Sequence, residues 1–450
     1  MAMTDGRVVR GLWLLLALTS PFFGVEFLRY NNEALHIHVA IPTAVQFAIV
    51  GIALLGVVAR SGRIRRPPAL ARKWGRLLIG FIALFLFCHA VGVARAFDYL
   101  YAAREFFKLA LGILTFLTVV AFFPRDPRFM ERFWTFAIWG AAFLLGYLIY
   151  LHGFVFKSSQ LAGVDRLGRE GVNQLTGHVV YVMPFAIAWT WSARRKVAAL
   201  VPLLVIVIAW IYSGSRGAWI AVVVGGGVMA MEFWKTLGLR KVLMFLVVAA
   251  VAGAAGLYVL NEWLPAEQMD FIARARYLYD PESVPELQSF DDRSARIIRA
   301  LKCCAMTSPL VGVGLTNTQS LSGLPHNDYV SILGDMGVFG LGLFGLILYA
   351  VYKCCWPRRR SQADVWWVSL GTHAVLVALV VFFNTIDKFY TVQTFWLFAG
   401  LALVAGEIER SGVPIPSRDR RVRSARAGRT AAAAEAGDRR HRRVIADRAR

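Results

Sequence analysis

The sequence predicts an all-α polytopic membrane protein of about twelve transmembrane helices, with one large loop between the ninth and tenth. Three observations carry that expectation. Of 450 residues, 57% are hydrophobic and 17% charged, with a mean hydropathy of +0.54, whereas soluble domains run near half apolar and about a quarter charged. Apolar runs of about 20 residues recur along the chain, the length that crosses a hydrocarbon core of about 30 Å. Finally, the basic residues alternate in density from one gap between runs to the next. A net charge of +22 in a soluble chain would point to nucleic acid; the placement of the arginines accounts for it here without such a partner.

In order, the runs cover 10–28, 39–59, 76–93, 105–123, 133–151, 174–192, 197–213, 217–233, 241–260, 328–352, 365–383 and 392–406. At 1.5 Å per residue each can span the core, the last one only just. The first run ends in Phe27-Leu28-Arg29-Tyr30 without a small-residue cleavage site, so it is read as a span and not as a signal peptide. Arg7 and Arg10, the stretch 60–76, Arg125, Arg128 and Arg132, Arg194 to Lys196, Lys235, Arg240 and Lys241, Lys353 with Arg358 to Arg360, and the tail from Arg410 all fall on one face. They make up 35 of the 50 Lys and Arg. The positive-inside bias makes that face cytoplasmic and puts both termini there. Nine spans precede His326, which places it outside. The chain divides accordingly into spans 1–9 over 1–260, a periplasmic loop with short amphipathic helices over 261–327, spans 10–12 over 328–410, and a basic cytoplasmic tail over 411–450. That tail is poor in apolar residues and expected to be disordered. Its attraction to anionic head groups is worth about 1 kcal/mol per basic residue near the surface.

The other basic residues run against the insertion bias. Arg274, Arg276, Arg293, Arg296, Arg299 and Lys302 lie in the outer loop, and Ala295 to Cys304 reads as an amphipathic helix lying against the bilayer. Anion binding is the sharp reading of these cations; a solvated, snorkelling helix face is the bland one. Arg216 sits in Tyr212-Ser213-Gly214-Ser215-Arg216-Gly217-Ala218-Trp219, at a break between two apolar runs with almost no loop. An arginine there is costly unless paired or bound to an anion, and the turn also supplies hydroxyls and free amides. The alternative is an interfacial arginine snorkelling to water. His326 follows Pro325 and precedes Asn327, Asp328 and Tyr329 at the start of the tenth run. A lone histidine is often structural, but an imidazole beside cations can take a proton from a hydroxyl near neutral pH. His36 and His38 lack the partners that would complete a metal site, and the Asp291-Asp292 pair is flanked by arginines that favour ion pairing. Neither adjacent cysteine pair, Cys303-Cys304 or Cys354-Cys355, completes a zinc pattern. No Walker-type phosphate loop is present.

The succession Gly214-Ser215-Arg216-Gly217-Ala218-Trp219, Asp292-Arg293-Ser294-Ala295-Arg296, Pro309-Leu310-Val311-Gly312-Val313-Gly314, His326-Asn327-Asp328-Tyr329 and Gly337-Val338-Phe339-Gly340 resembles the O-antigen ligase and polymerase family. Those are bacterial inner-membrane glycosyltransferases with about twelve spans and one large periplasmic loop. The likeness is motif-specific across roughly residues 160–345, and Gly168 to Asn173 is set loosely against the family's Gly/Asn-rich segment before the sixth span. The resemblance implies transfer of a glycan from undecaprenyl diphosphate to a sugar hydroxyl outside the cytoplasmic membrane, with no metal or other cofactor. It assigns Arg216 first to the diphosphate, with Arg276 and Arg296 from the loop and Arg293 as competitor. His326 acts as base or orients the acceptor; Ser215, Asn327, Tyr329 and Asn173 give support. In the ligase branch, favoured here, the acceptor is lipid A–core; in the polymerase branch it is another lipid-linked repeat. A lipid-linked oligosaccharide flippase is the alternative from another class. It should carry charge inside several spans or show repeated halves, and the sequence shows scarce intramembrane charge and no visible repeat.

Overall fold

The computed structural model describes residues 7–19, 29–32, 37–40, 45, 47–52, 68–152, 169–192, 196–212, 215–237, 289–323, 325–355, 366–385 and 393–411. The ninth expected span, most of the outer loop before residue 289 and the tail beyond 411 lie outside them. In chain order the helices are α1 (Arg7–Thr19), α2 (Pro68–Ala71), α3 (Lys73–Ala94), α4 (Tyr99–Phe122), α5 (Pro127–His152), α6 (Arg169–Ser192), α7 (Lys196–Tyr212), α8 (Arg216–Leu237), α9 (Ser289–Thr307), α10 (Asn317–Ser322), α11 (Asp328–Cys355), α12 (Trp366–Phe382) and α13 (Gln393–Ser411). One feature departs from the all-α expectation. Two four-residue strands, β1 (Arg29–Asn32) and β2 (Ile37–Ala40), pair antiparallel with Arg29 opposite Ala40. Both segments include residue types of high strand propensity, Tyr30, Ile37 and Val39 among them.

Among the described residues, α3, α4 and α11 are long and apolar enough to cross a membrane, and shorter apolar stretches occur in α1, α6, α7, α8 and α12. The helix α4 shows how the sequence sets such an element. Asp98 caps it, its carboxylate accepting the Tyr101 N–H at 2.9 Å. Leu109, Gly112, Ile113, Phe116, Val119 and Val120 then recur at helical spacing and are buried, chiefly against α13. At Gly112 the missing side chain leaves the slot that Trp396 fills, the close approach that small residues allow between apolar helices. Larger aromatics complete the core: Trp134 stacks on Phe185 at 3.6 Å, and Phe123 meets Trp13, Phe129 and Phe133.

The 24 residues of α4 rise about 36 Å and carry different chemistry at their two ends. Beyond its C-terminus Arg125 pairs with Glu407 of α13 at 3.5 Å, and Arg10 of α1 faces Asp126 at 3.8 Å. Burial pushes the Arg125 pKa down, and the nearby Glu407 charge and hydrogen bond oppose that shift. At the N-terminal end Tyr101 donates to Gln319 of α10 at 3.2 Å. Arg10 and Arg125 therefore sit at the opposite end of α4 from α10, the short helix that precedes His326.

Candidate functional site

The expected tenth span is not one continuous helix. At Gly337 the backbone of α11 takes φ 69° and ψ −171°, a conformation close to glycine's alone. That break frees helical carbonyls before it and amides after it, and the turn following α9 satisfies both sets. Val313 and Gly314 donate to the carbonyls of Gly334 and Asp335 at 2.9 and 3.1 Å, while Val338 and Phe339 donate to those of Pro309 and Leu310 at 2.9 and 3.2 Å. A side chain at Gly337 would run into the Leu310 carbonyl, and one at Gly312 into the amide of Met336. The Pro-Leu-Val-Gly-Val-Gly segment and the Gly-Asp-Met-Gly segment are thus two halves of one joint.

The same turn is bracketed to the connection between α3 and α4. Asn317, fully buried, donates to the carbonyls of Arg95 and Val313 at 2.9 and 2.8 Å and accepts from the Phe97 N–H at 2.7 Å. The Arg95 guanidinium donates to the carbonyls of Gly312 and Val311 at 3.0 and 3.4 Å. Arg95 thereby holds the turn.

His326 is half-buried, with φ 52°, in the left-handed region that non-glycine residues seldom occupy. It leads directly into α11. Asn327 is the N-cap: its side-chain oxygen accepts the Val330 N–H at 3.1 Å. Asp328 donates its N–H to the Phe383 carbonyl at 2.8 Å, and the Tyr329 hydroxyl donates to the Val380 carbonyl at 2.7 Å, its ring edge-on to Phe383. Asn327 and Tyr329, expected as supporting residues, therefore fix the root of the segment that carries the imidazole.

Two of the candidate arginines lie on α9, which extends beyond the 295–304 helix expected from the pattern at both ends. Arg296 runs over Gly323, whose position for a Cβ is 3.4 Å from the arginine Cδ and 3.6 Å from Nε. This brings it to the His326 segment. Arg293 lies one turn earlier, also half-buried, while Arg299 and Lys302 are exposed. Arg276 lies outside the described residues. On α8, Ser215 is the N-cap, accepting the Ala218 N–H at 3.4 Å, and Arg216 is the first helical residue. Gly217 packs directly on Thr385. The indole of Trp219 donates to the Trp210 carbonyl and that of Trp210 to the Ala218 carbonyl, clamping the break between α7 and α8. The backbones at Arg216 and at His326 consequently attach to one corner, residues 380–385. Asn173 is the fifth residue of α6, a helix that begins earlier than the apolar run.

A further group was not singled out by sequence. Glu105 in α4, only 4% exposed, pairs with Lys108 at 2.7 Å and Arg104 at 3.5 Å. The Arg104 guanidinium also covers the Tyr101 ring at 5.0 Å, and Tyr101 binds α10. An acid and a base three apart inside an apolar run were the available signal. Among the described residues no three His, Cys, Asp or Glu side chains converge as a metal-ligand set.

The adjacent thiols of α9 differ. Cys304 is buried, donates to the Leu333 carbonyl at 3.2 Å, and has its pKa raised by burial and, secondarily, by Cys303; Cys303 is half-buried. Maleimide on the purified protein is expected to modify Cys304 at least about tenfold more slowly than Cys303, since the exposed thiolate is the reactive form. Peptide mass spectrometry of the time course checks it, with equal rates contradicting this packing.

Residues 201–345 match the family model described as O-antigen ligase. The match opens within α7 and closes within α11, so it contains Arg216, Arg293, Arg296, His326 and the break at Gly337. No match was found among curated proteins.

Proposed function

Because the chain carries an O-antigen ligase domain over residues 201–345, a segment that supports glycosyl transfer of the ligase or polymerase type in an integral membrane protein, we propose that it joins O-antigen to lipid A–core. The donor is the glycan on undecaprenyl diphosphate, and the reaction takes place on the periplasmic face of the bacterial inner membrane. One observation carries the reading. His326 is presented in a left-handed turn at the head of a broken helix, with Arg296 laid over the preceding Gly323 and the Arg216 helix start on the same corner.

In this mechanism His326 takes the proton of an acceptor sugar hydroxyl. The acceptor oxygen forms its bond to the anomeric carbon as the bond from that carbon to the diphosphate oxygen breaks. The electron pair goes to the diphosphate, and displacement from the opposite face inverts the anomeric centre. Arg216, Arg296, Arg293 and Arg276 stabilise the charge growing on the leaving diphosphate through charge-assisted hydrogen bonds. No metal is required in this scheme. Glu105 holds Lys108 and Arg104 at the neighbouring end of α4, where they add positive potential.

The test is transfer by purified protein supplied with a lipid-diphosphate glycan and lipid A–core. Glycan-bearing core is the expected product, and Arg216→Ala or Arg296→Ala should lower kcat by about 100-fold, the usual loss when one donor to a developing anion is removed. Lengthened lipid-linked glycan with bare core would instead identify a polymerase. Transfer undiminished in Arg216→Ala and in His326→Ala would eliminate this site.

A further inference from the structure

The polar residue of the joint that the glycosyl-transfer reading does not use is Asp335. Its side chain is 2% exposed, yet it lies two residues before the break in a helix among apolar neighbours. It gathers three alternate amides of the incoming turn. The main-chain carbonyl accepts from Gly314 at 3.1 Å, carboxylate Oδ2 from Thr316 at 2.9 Å and Oδ1 from Thr318 at 3.1 Å. Thr316 is the most strained residue of the turn, with φ 68° and ψ −8°. A β-branched side chain seldom tolerates that left-handed conformation. Thr316 and Thr318 are themselves buried.

We propose that Asp335 is a positioning residue that fixes His326 by holding Thr316 and Thr318. The inference rests on the assignment of His326 to the acceptor. The chain leaves Asp335 at Thr318, runs through α10, Gly323 and Pro325, and returns to the same helix at Asp328, with His326 two residues before the return. The excursion is therefore closed at both ends on α11, and its far end depends on the carboxylate. A carboxyl group offers an acceptor oxygen to each of the two N–H groups; an amide in its place presents one oxygen and turns a donor toward the other N–H. A buried N–H left without an acceptor is destabilised, and Thr316 then relaxes toward an ordinary backbone conformation. The segment between it and Asp328 loosens, and the imidazole drifts from the acceptor oxygen.

The experiment compares full-length, reconstituted wild type with Asp335→Asn, Asp335→Asn/Thr316→Gly and His326→Ala. It measures steady-state glycan transfer alongside amide exchange in residues 314–328 without substrate. Asp335→Asn is expected to lower kcat by about tenfold to a hundredfold with KM within about threefold, since misplacement by an ångström costs that order, and to speed exchange across 316–326. Adding Thr316→Gly should restore most of the lost kcat, because glycine enters the left-handed region without a Cβ penalty. Should Asp335→Asn not accumulate, Asp335→Glu keeps the charge but moves both oxygens by one methylene and is expected to give the same signature. Unchanged exchange, unchanged kcat, or no rescue by Thr316→Gly overturns the proposal. Full activity in His326→Ala instead overturns the reading of the histidine, and the exchange data still judge the pin.

Discussion

Replacing His326 with alanine is expected to reduce glycan transfer by about a thousandfold, within the range that removal of a general base commonly costs, while the protein accumulates in the membrane as before. The side chain is half-buried and outside the aromatic core, so little packing is lost. The backbone is the complication, since φ 52° at this position is harder for alanine than for asparagine or glycine. His326→Asn and His326→Gly separate the two effects. Both accept the left-handed turn and neither offers an imidazole to take the proton, so both should fold normally and be as inactive as His326→Ala. Transfer by His326→Asn within about tenfold of wild type would assign the residue to backbone shape and not to proton transfer.

The second large effect is expected at Gly337. Alanine there meets two obstacles at once: φ 69°, and a Cβ directed into the Leu310 carbonyl. The conformation alone, with φ positive and ψ −171°, costs roughly 1–3 kcal/mol. The steric conflict then forces the Pro309–Gly314 turn off the break, taking the hydrogen bonds at Val313, Gly314, Val338 and Phe339 with it. Gly337→Ala should therefore abolish transfer and sharply reduce accumulated protein. Gly342 and Gly345, later in the same helix, would place a Cβ in open space. Alanine at either is expected to be neutral, or stabilising by about 0.5 kcal/mol through helix propensity. Thermal unfolding in detergent and quantitative immunoblotting of membranes provide the comparison; equal behaviour of Gly337→Ala and Gly345→Ala would contradict the break.

Hydropathy made the helical class legible, and the boundaries of α7 and α8 fall within a few residues of their apolar runs. It could not show the interruption of α11, because an apolar run from 328 to 352 reports burial and carries no information on φ. What breaks that helix is a turn far upstream docking against it. For the same reason the roles of Arg95 and Asn317 could not be read: they exist only once the connection between α3 and α4 meets the turn. Capping was more readable. Ser215 and Asn327 are residue types that favour the position before a helix, and both occupy it, although the motif reading placed them beside the substrate. Glu105 was overlooked because the surrounding run is strongly apolar, and its pairing with Lys108 modifies the expectation of scarce charge within the spans. The pair lies at one end of a single helix, unlike the several charged spans expected of a flippase. The two short strands at 29–32 and 37–40 were too brief to stand out from a polar connection.

The joint between the Pro309–Gly314 turn and the interrupted helix also constrains how the chain is built. The turn is synthesised first but has no acceptors until Gly334 and Asp335 follow, and the helix cannot part at Gly337 until donors and carbonyls wait on the other side. Buried away from water, neither unpaired row of polar backbone is stable by itself. The two sides are therefore expected to form together, as one cooperative unit. Amide exchange at Val313 and Val338 should accordingly rise and fall in step across any set of destabilising variants, and independent exchange would show that the two sides assemble separately.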